Sequence, residues 1–145
     1  MATTQFDGFP PEAIRFYDAL AADNTKAFWT AHRATYENAC RDPMRALLDE
    51  LAPEFGVGKM HRPNRDIRFS YDKSPYRTNL AALVGDSRYI QLSAEGLFIG
   101  GGRYEFVGPA LAEYREAVAS DAGTDLATSL DELRRAGYEV GGEEL

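Results

Sequence analysis

The chain is short of the residue types from which reactive centres are most often assembled. It has one cysteine, Cys40, and two histidines, His32 and His61, in 145 residues. A single cysteine excludes an internal disulfide and fits a reducing compartment. No His-x-x-x-His or Cys-x-x-Cys pair exists, so no metal site is expected. A carboxylate-bound magnesium is disfavoured too, because Asp66 and Asp72 stand among cations. Cys40 lies eight residues after His32, about 12 Å along a helix axis. That is too far for a thiol–imidazole hydrogen bond, and Cys40 reads as a small helix residue. No serine sits in a Gly-x-Ser-x-Gly elbow. Gly100-Gly101-Gly102-Arg103 lacks the Lys-Ser/Thr that completes a phosphate loop, and reads as a strand end where the backbone bulges or packs closely. No cofactor is expected. No apolar run approaches the roughly 20 residues of a membrane helix. The opening Met1–Gln5 has no basic segment leading into an apolar one, so no secretory leader and no membrane partner are expected. The default location is the cytoplasm.

What is present is an ordinary globular composition, 44% hydrophobic and 27% charged, which excludes a disordered chain. The length suits one domain, residues 1–145. The net charge of -7 argues against nucleic acid as a partner for the surface as a whole. That charge is unevenly spread. Lys59, Arg62, Arg65, Arg68, Lys73 and Arg77 face only Asp66 and Asp72 over Lys59–Arg77. From Asp121 to Leu145, seven acids face Arg134 and Arg135. A basic segment in an acidic chain marks a local anion site or an ion-pair network. Nothing in the sequence specifies an oligomeric state.

Periodicity and punctuation give the elements. Pro11 opens a helix carrying Ile14, Tyr17 and Leu20. Asp23-Asn24 stops it and offers a cap for a second helix from about Thr25 to Cys40. Pro43 either kinks that helix or opens a third, with Leu47, Leu48 and Leu51. Pro53, Gly56 and Gly58 end the helical half. Asp66–Tyr71 alternates, with Ile67, Phe69 and Tyr71 opposed to Asp66, Arg68 and Ser70, which predicts a half-buried strand. Arg88–Ser93 and Leu97–Gly101 predict two strands joined through Ala94-Glu95-Gly96. Pro109 starts a helix ended by Asp121-Ala122-Gly123. Leu126, Leu130 and Leu133 mark a last helix, closed by Gly137 and followed by a strand over Tyr138–Val140. Helices, then strands, then helices imply an α+β fold: N-terminal helices followed by a mostly antiparallel sheet with further helices packed on it.

The chemically loaded segment is Arg62-x-x-Arg65-Asp66-x-Arg68-Phe69-Ser70-x-Asp72-Lys73-x-Pro75-Tyr76-Arg77. It resembles the signature of DUF2461, a bacterial family of unknown function. Phe6-Asp7-Gly8-Phe9-Pro10 resembles the family's opening, and Asn24–Trp29 with Tyr36 its second helix. Gly96-Leu97-Phe98 to Gly101-Gly102, with Tyr104, resembles its later hairpin. The similarity spans most of the chain. It implies an α+β domain centred on this motif and supplies no activity. Family members usually run on past a segment like Glu143-Glu144-Leu145, so the resemblance implies a chain incomplete at its C-terminus.

Three readings of the segment stand side by side. Arginine forks fit phosphate or carboxylate, so Arg62, Arg65, Arg68, Lys73 and Arg77 can surround a small anionic ligand, with Tyr76 adding a hydroxyl or a ring face. Asp66 and Asp72 then orient the cations, or one serves as a general base if desolvated. Trp29, Arg33 and Tyr36 share a face of the second helix; either it is a core stripe or it packs over the segment as one wall of the pocket. Alternatively the same cations touch a polyanion or a partner protein. The third reading is purely structural, with the charges satisfying one another. None of the three names a reaction.

Overall fold

In the computed structural model, residues 5–142 are described. Met1–Thr4, part of the segment read above for a leader, and Glu143–Leu145, where a continuation is expected, lie outside the described residues. The fold is α+β, with helices, then a four-stranded antiparallel sheet, then helices. Among the described residues no helix is long and apolar enough to cross a membrane. The chain divides into two compact units, one ending at Gly102 and the other beginning at Arg103.

In the first unit, α1 (Pro11–Ala22) starts on its proline, whose missing N–H would have had no helical partner. It buries Ala13, Phe16, Tyr17 and Leu20, an i, i+3, i+4, i+7 stripe. The cap of α2 (Lys26–Thr35) is Thr25, whose hydroxyl accepts from the Phe28 amide at 3.2 Å, rather than Asp23 or Asn24 as expected. The chain then widens into a π-helical turn, Tyr36–Arg41, and continues as α3 (Asp42–Phe55). Pro43 stands in the first turn of this third helix, one of the two outcomes expected of it, and the helical path runs through it unbroken. A proline clashes with the carbonyl four residues back. Here the turn just before it is widened, and the Asp42 amide bonds five residues back, to Glu37. The widened turn also sets Tyr36, Ala39 and Cys40 inward together.

The sheet runs in the order β1 (Gly58–Met60), β2 (Asn79–Val84), β3 (Arg88–Ser93) and β4 (Gly96–Gly101). The register pairs Ala82 with Ile90 and Leu80 with Leu92, so Leu80, Ala82, Val84, Ile90 and Leu92 bury one face against α1 and the π turn. Met44 and Leu48 complete this core. Each fully buried side chain of Leu, Ile or Met size contributes about 1.5–3 kcal/mol. The β2–β3 turn needs Gly85: its φ is 56°, and a Cβ there would lie 2.5 Å from the Phe55 carbonyl oxygen.

The second unit is a helical hairpin of α4 (Pro109–Val118) and α5 (Asp121–Arg135). Gly123 does not end the first of these helices. It sits in the first turn of α5, capped by Ser120, where a Cβ would strike the Val118 carbonyl. Gly137 closes α5 with a φ of 90°. Its amide bonds Arg134 and the Tyr138 amide bonds Leu133, the paired pattern of a Schellman end. Tyr138–Val140 is irregular rather than a strand, because Tyr138 is spent on that closure.

Candidate functional site

The segment from His61 to Thr78 is an arm that prolongs the β1–β2 hairpin. The Ala81 carbonyl accepts from the His61 amide at 2.8 Å, Pro63 from Arg77 at 2.8 Å, and Pro75 from Arg65 at 2.9 Å. Asn64 bridges Tyr76 in antiparallel fashion. Beyond this stalk, Asp66–Lys73 folds on itself as a tip.

The tip corrects the strand expected over Asp66–Tyr71. Asp66 accepts from the Arg68 amide at 3.3 Å, and Asp72 from the Ser74 amide at 2.9 Å. Aspartates that bond backbone two residues on bend the chain and compete with a strand ladder. Ile67 accepts from the Ser70 amide at 3.3 Å and from Lys73 Nζ at 2.9 Å. Phe69 and Tyr71, expected on the buried side, are almost wholly exposed, at 96% and 103%.

The cations of the motif divide into two groups. Arg68 clasps Asp66 through two bonds, Nε to Oδ1 at 3.0 Å and a terminal nitrogen to Oδ2 at 2.7 Å. Arg65, half-buried, pairs with Asp72 and also donates to Ser70 Oγ and the Ser74 carbonyl. Arg62 and Arg77 make no ion pair among the described residues. Both aspartates stay charged. The Ser74 hydroxyl and amide, then Arg65, hold Asp72 down to about 2. Arg68 holds Asp66 below the usual carboxylate range, with Arg62 helping at longer reach. Carboxylates that exposed and that acidic are poor proton acceptors at neutral pH, so neither has the desolvation a general base requires.

The arm is clamped to the helices at one place. The Asn24 carboxamide donates to the Tyr76 carbonyl at 2.9 Å and accepts from the Tyr76 amide at 3.1 Å, standing in for a neighbouring strand. The Tyr76 ring is buried and stacks on Trp29, with centroids 4.4 Å apart and planes 11° from parallel. Trp29 therefore meets the motif. Arg33 does not: it is exposed and pairs with Glu37 along its own helix.

Between the α1–α2 junction and the arm lies an open cleft of about 360 Å³. Arg65, Asp72, Ser74, Tyr76 and Arg77 form its arm side and Ala21 and Asn24 its helix side, with Thr78 and Asn79 at the base. Asn24, Thr78 and Asn79 went unread in the sequence as site residues. Asn24 looked like a helix cap, and the other two directly follow Arg77 but carry no charge. Arg62, Arg68 and Lys73 are outside this lining.

Among the described residues no other group competes as a reactive centre. Cys40 is buried, and burial pushes its thiol up to about 12. Burial also raises Tyr17 and Tyr36 beside it. His32 bonds the Phe28 carbonyl at 2.9 Å and stacks on the Phe28 ring. Among the described residues no three His, Cys, Asp or Glu side chains converge.

Comparison with known proteins gives a family and no chemistry. No curated protein and no solved structure matches. A family model described as a conserved hypothetical protein, DUF2461, matches residues 12–145. With nearly the whole chain covered, arm and both units included, the protein belongs to the DUF2461 family.

Proposed function

We propose that the cleft beneath the arm binds a small anionic ligand, phosphate- or carboxylate-bearing, with Arg77 as its principal cation. The observation that carries this is Arg77 itself, a cleft-lining guanidinium with no carboxylate partner among the described residues. Arg65 stands in the same wall with its charge shared by Asp72. Two neutral donors line the cleft with the two cations, the Thr78 hydroxyl and the Asn79 carboxamide, while the Ser74 hydroxyl is spent on Asp72. Charge-assisted bonds to such a fork are shorter and stronger than neutral ones. The acid–base poverty of the cleft favours binding over catalysis. A lone buried thiol suits a reducing compartment, and the proposal places the protein in the cytoplasm.

Of the remaining motif cations, Arg68 and Lys73 hold the arm tip. Arg68 with Asp66, and Arg65 with Asp72, tie the tip to itself. The ligand reading therefore narrows from Arg62, Arg65, Arg68, Lys73 and Arg77 to Arg65 and Arg77. Calorimetric titration with inorganic phosphate and with a small dicarboxylate tests it. Arg77→Ala removes a charged hydrogen bond, about 1.5–3 kcal/mol, and weakens binding roughly tenfold to hundredfold. Binding of equal strength in Arg77→Ala, or none at millimolar ligand, overturns the reading.

A further inference from the structure

The cleft leaves the most exposed feature of the arm unused. Phe69 and Tyr71 project from the tip with almost their whole surfaces in water. The loop that carries the two rings is not loose. The Asp66–Arg68 clasp, the Arg65–Asp72 pair and the Lys73 bond to Ile67 fix the backbone that carries them. A tip ordered in advance loses little freedom when its rings are covered, so the rings are held ready for a partner. Arg68 and Lys73 belong to the same tip, Arg62 stands in the stalk within reach of the Asp66 charge, and the Arg68 guanidinium lies 5.9 Å from the Phe69 ring centre.

From this juxtaposition we propose that the arm tip is a contact site for single-stranded nucleic acid. Phe69 and Tyr71 are the stacking platforms, and Arg62, Arg68 and Lys73 are the phosphate contacts. Rings interleaved with cations suit a strand whose bases are free to stack and whose backbone is anionic. A duplex hides its base faces. An anionic bilayer would have to take in Asp66, Asp72 and Arg68, which flank the rings and keep 46%, 60% and 76% of their side chains in solvent; charged groups of that kind resist the hydrocarbon region. The net charge of -7 over the whole chain limits the footprint to the few nucleotides that the tip spans. The site goes beyond the cleft and shares no residue with it.

Fluorescence anisotropy with short labelled single-stranded RNA and DNA, titrated at rising salt, tests the proposal. Binding is expected at low salt. Its logarithm should fall against that of salt with a slope of about -2, as three phosphates on a single strand dictate. Phe69→Ala and Tyr71→Ala should each weaken it about fivefold or more. Both rings are exposed, so the variants keep the fold, and their affinity for inorganic phosphate should be unchanged. Arg77→Ala should spare the oligonucleotide while weakening phosphate binding, which separates this site from the cleft. The proposal is overturned by any of three results: no binding at low salt, binding indifferent to both ring deletions, or tighter binding to duplex or to phosphatidylserine vesicles than to single strands.

Discussion

At the scale of single residues, Asp72 shows how a short loop sets a charge. Its carboxylate takes the Ser74 hydroxyl at 2.6 Å and amide at 2.9 Å, and then Arg65. All three favour the ionised form, which places its pKa at about 2 against an ordinary 3.8. The folded value is depressed, so Asp72 supports the tip fully above the unfolded value, and that support is lost as pH falls through about 2. Carbon-detected NMR of the Asp72 carboxyl should find a midpoint near 2. In Ser74→Ala it should rise clearly, because the hydroxyl bond is the largest single cause, ahead of the amide and of Arg65. A midpoint that ignores Ser74 would refute this ordering. The same residue explains a misreading of the sequence. Alternation over Asp66–Tyr71 spells a strand, but the aspartates at both ends spend their side chains on nearby amides. Local bonding of that kind is invisible to a period-two pattern.

Secondary elements were legible where punctuation and period agreed. Pro11, Pro109 and Gly137 bound the helices they mark, and Gly96, at φ 110°, closes the β3–β4 hairpin. β2 was missed because Leu80-Ala81-Ala82-Leu83-Val84 is a continuous apolar run with no alternation to read. β1 is only three residues long. Gly123 misled for a physical reason: it reads as a breaker, yet it is required where α4 and α5 meet head-on at the Val118 carbonyl. Gly123→Ala forces that junction apart and should cost about 1–3 kcal/mol. Hydrogen exchange provides the check. Amides of Asp121–Arg135 should exchange roughly tenfold to hundredfold faster, with those of β2 and β3 unchanged. An unaltered α5 would show that the junction yields freely.

For the molecule as a whole, the distribution of burial is lopsided. Every buried hydrophobic residue among those described lies between Ala13 and Leu92, and neither α4 nor α5 has a buried residue. Residues 1–102 should therefore fold without the rest, giving a cooperative thermal transition by circular dichroism and keeping the phosphate affinity of the full chain. A broad, non-cooperative melt would show that the first unit depends on the second. The candidate site was half legible at this scale. Its cations stood out, whereas the Asn24 clamp joins residues 52 positions apart, a separation that no local pattern reports. That separation has a consequence in time. The β2–β3–β4 meander closes through short turns, but Asn24 can grip Tyr76 only once helices and hairpin are both in place. The clamp then belongs to the downhill side of the folding barrier. In stopped-flow experiments Asn24→Ala should accelerate unfolding roughly tenfold and leave the refolding rate nearly untouched, so the arm would be the last piece to lock and the first to let go.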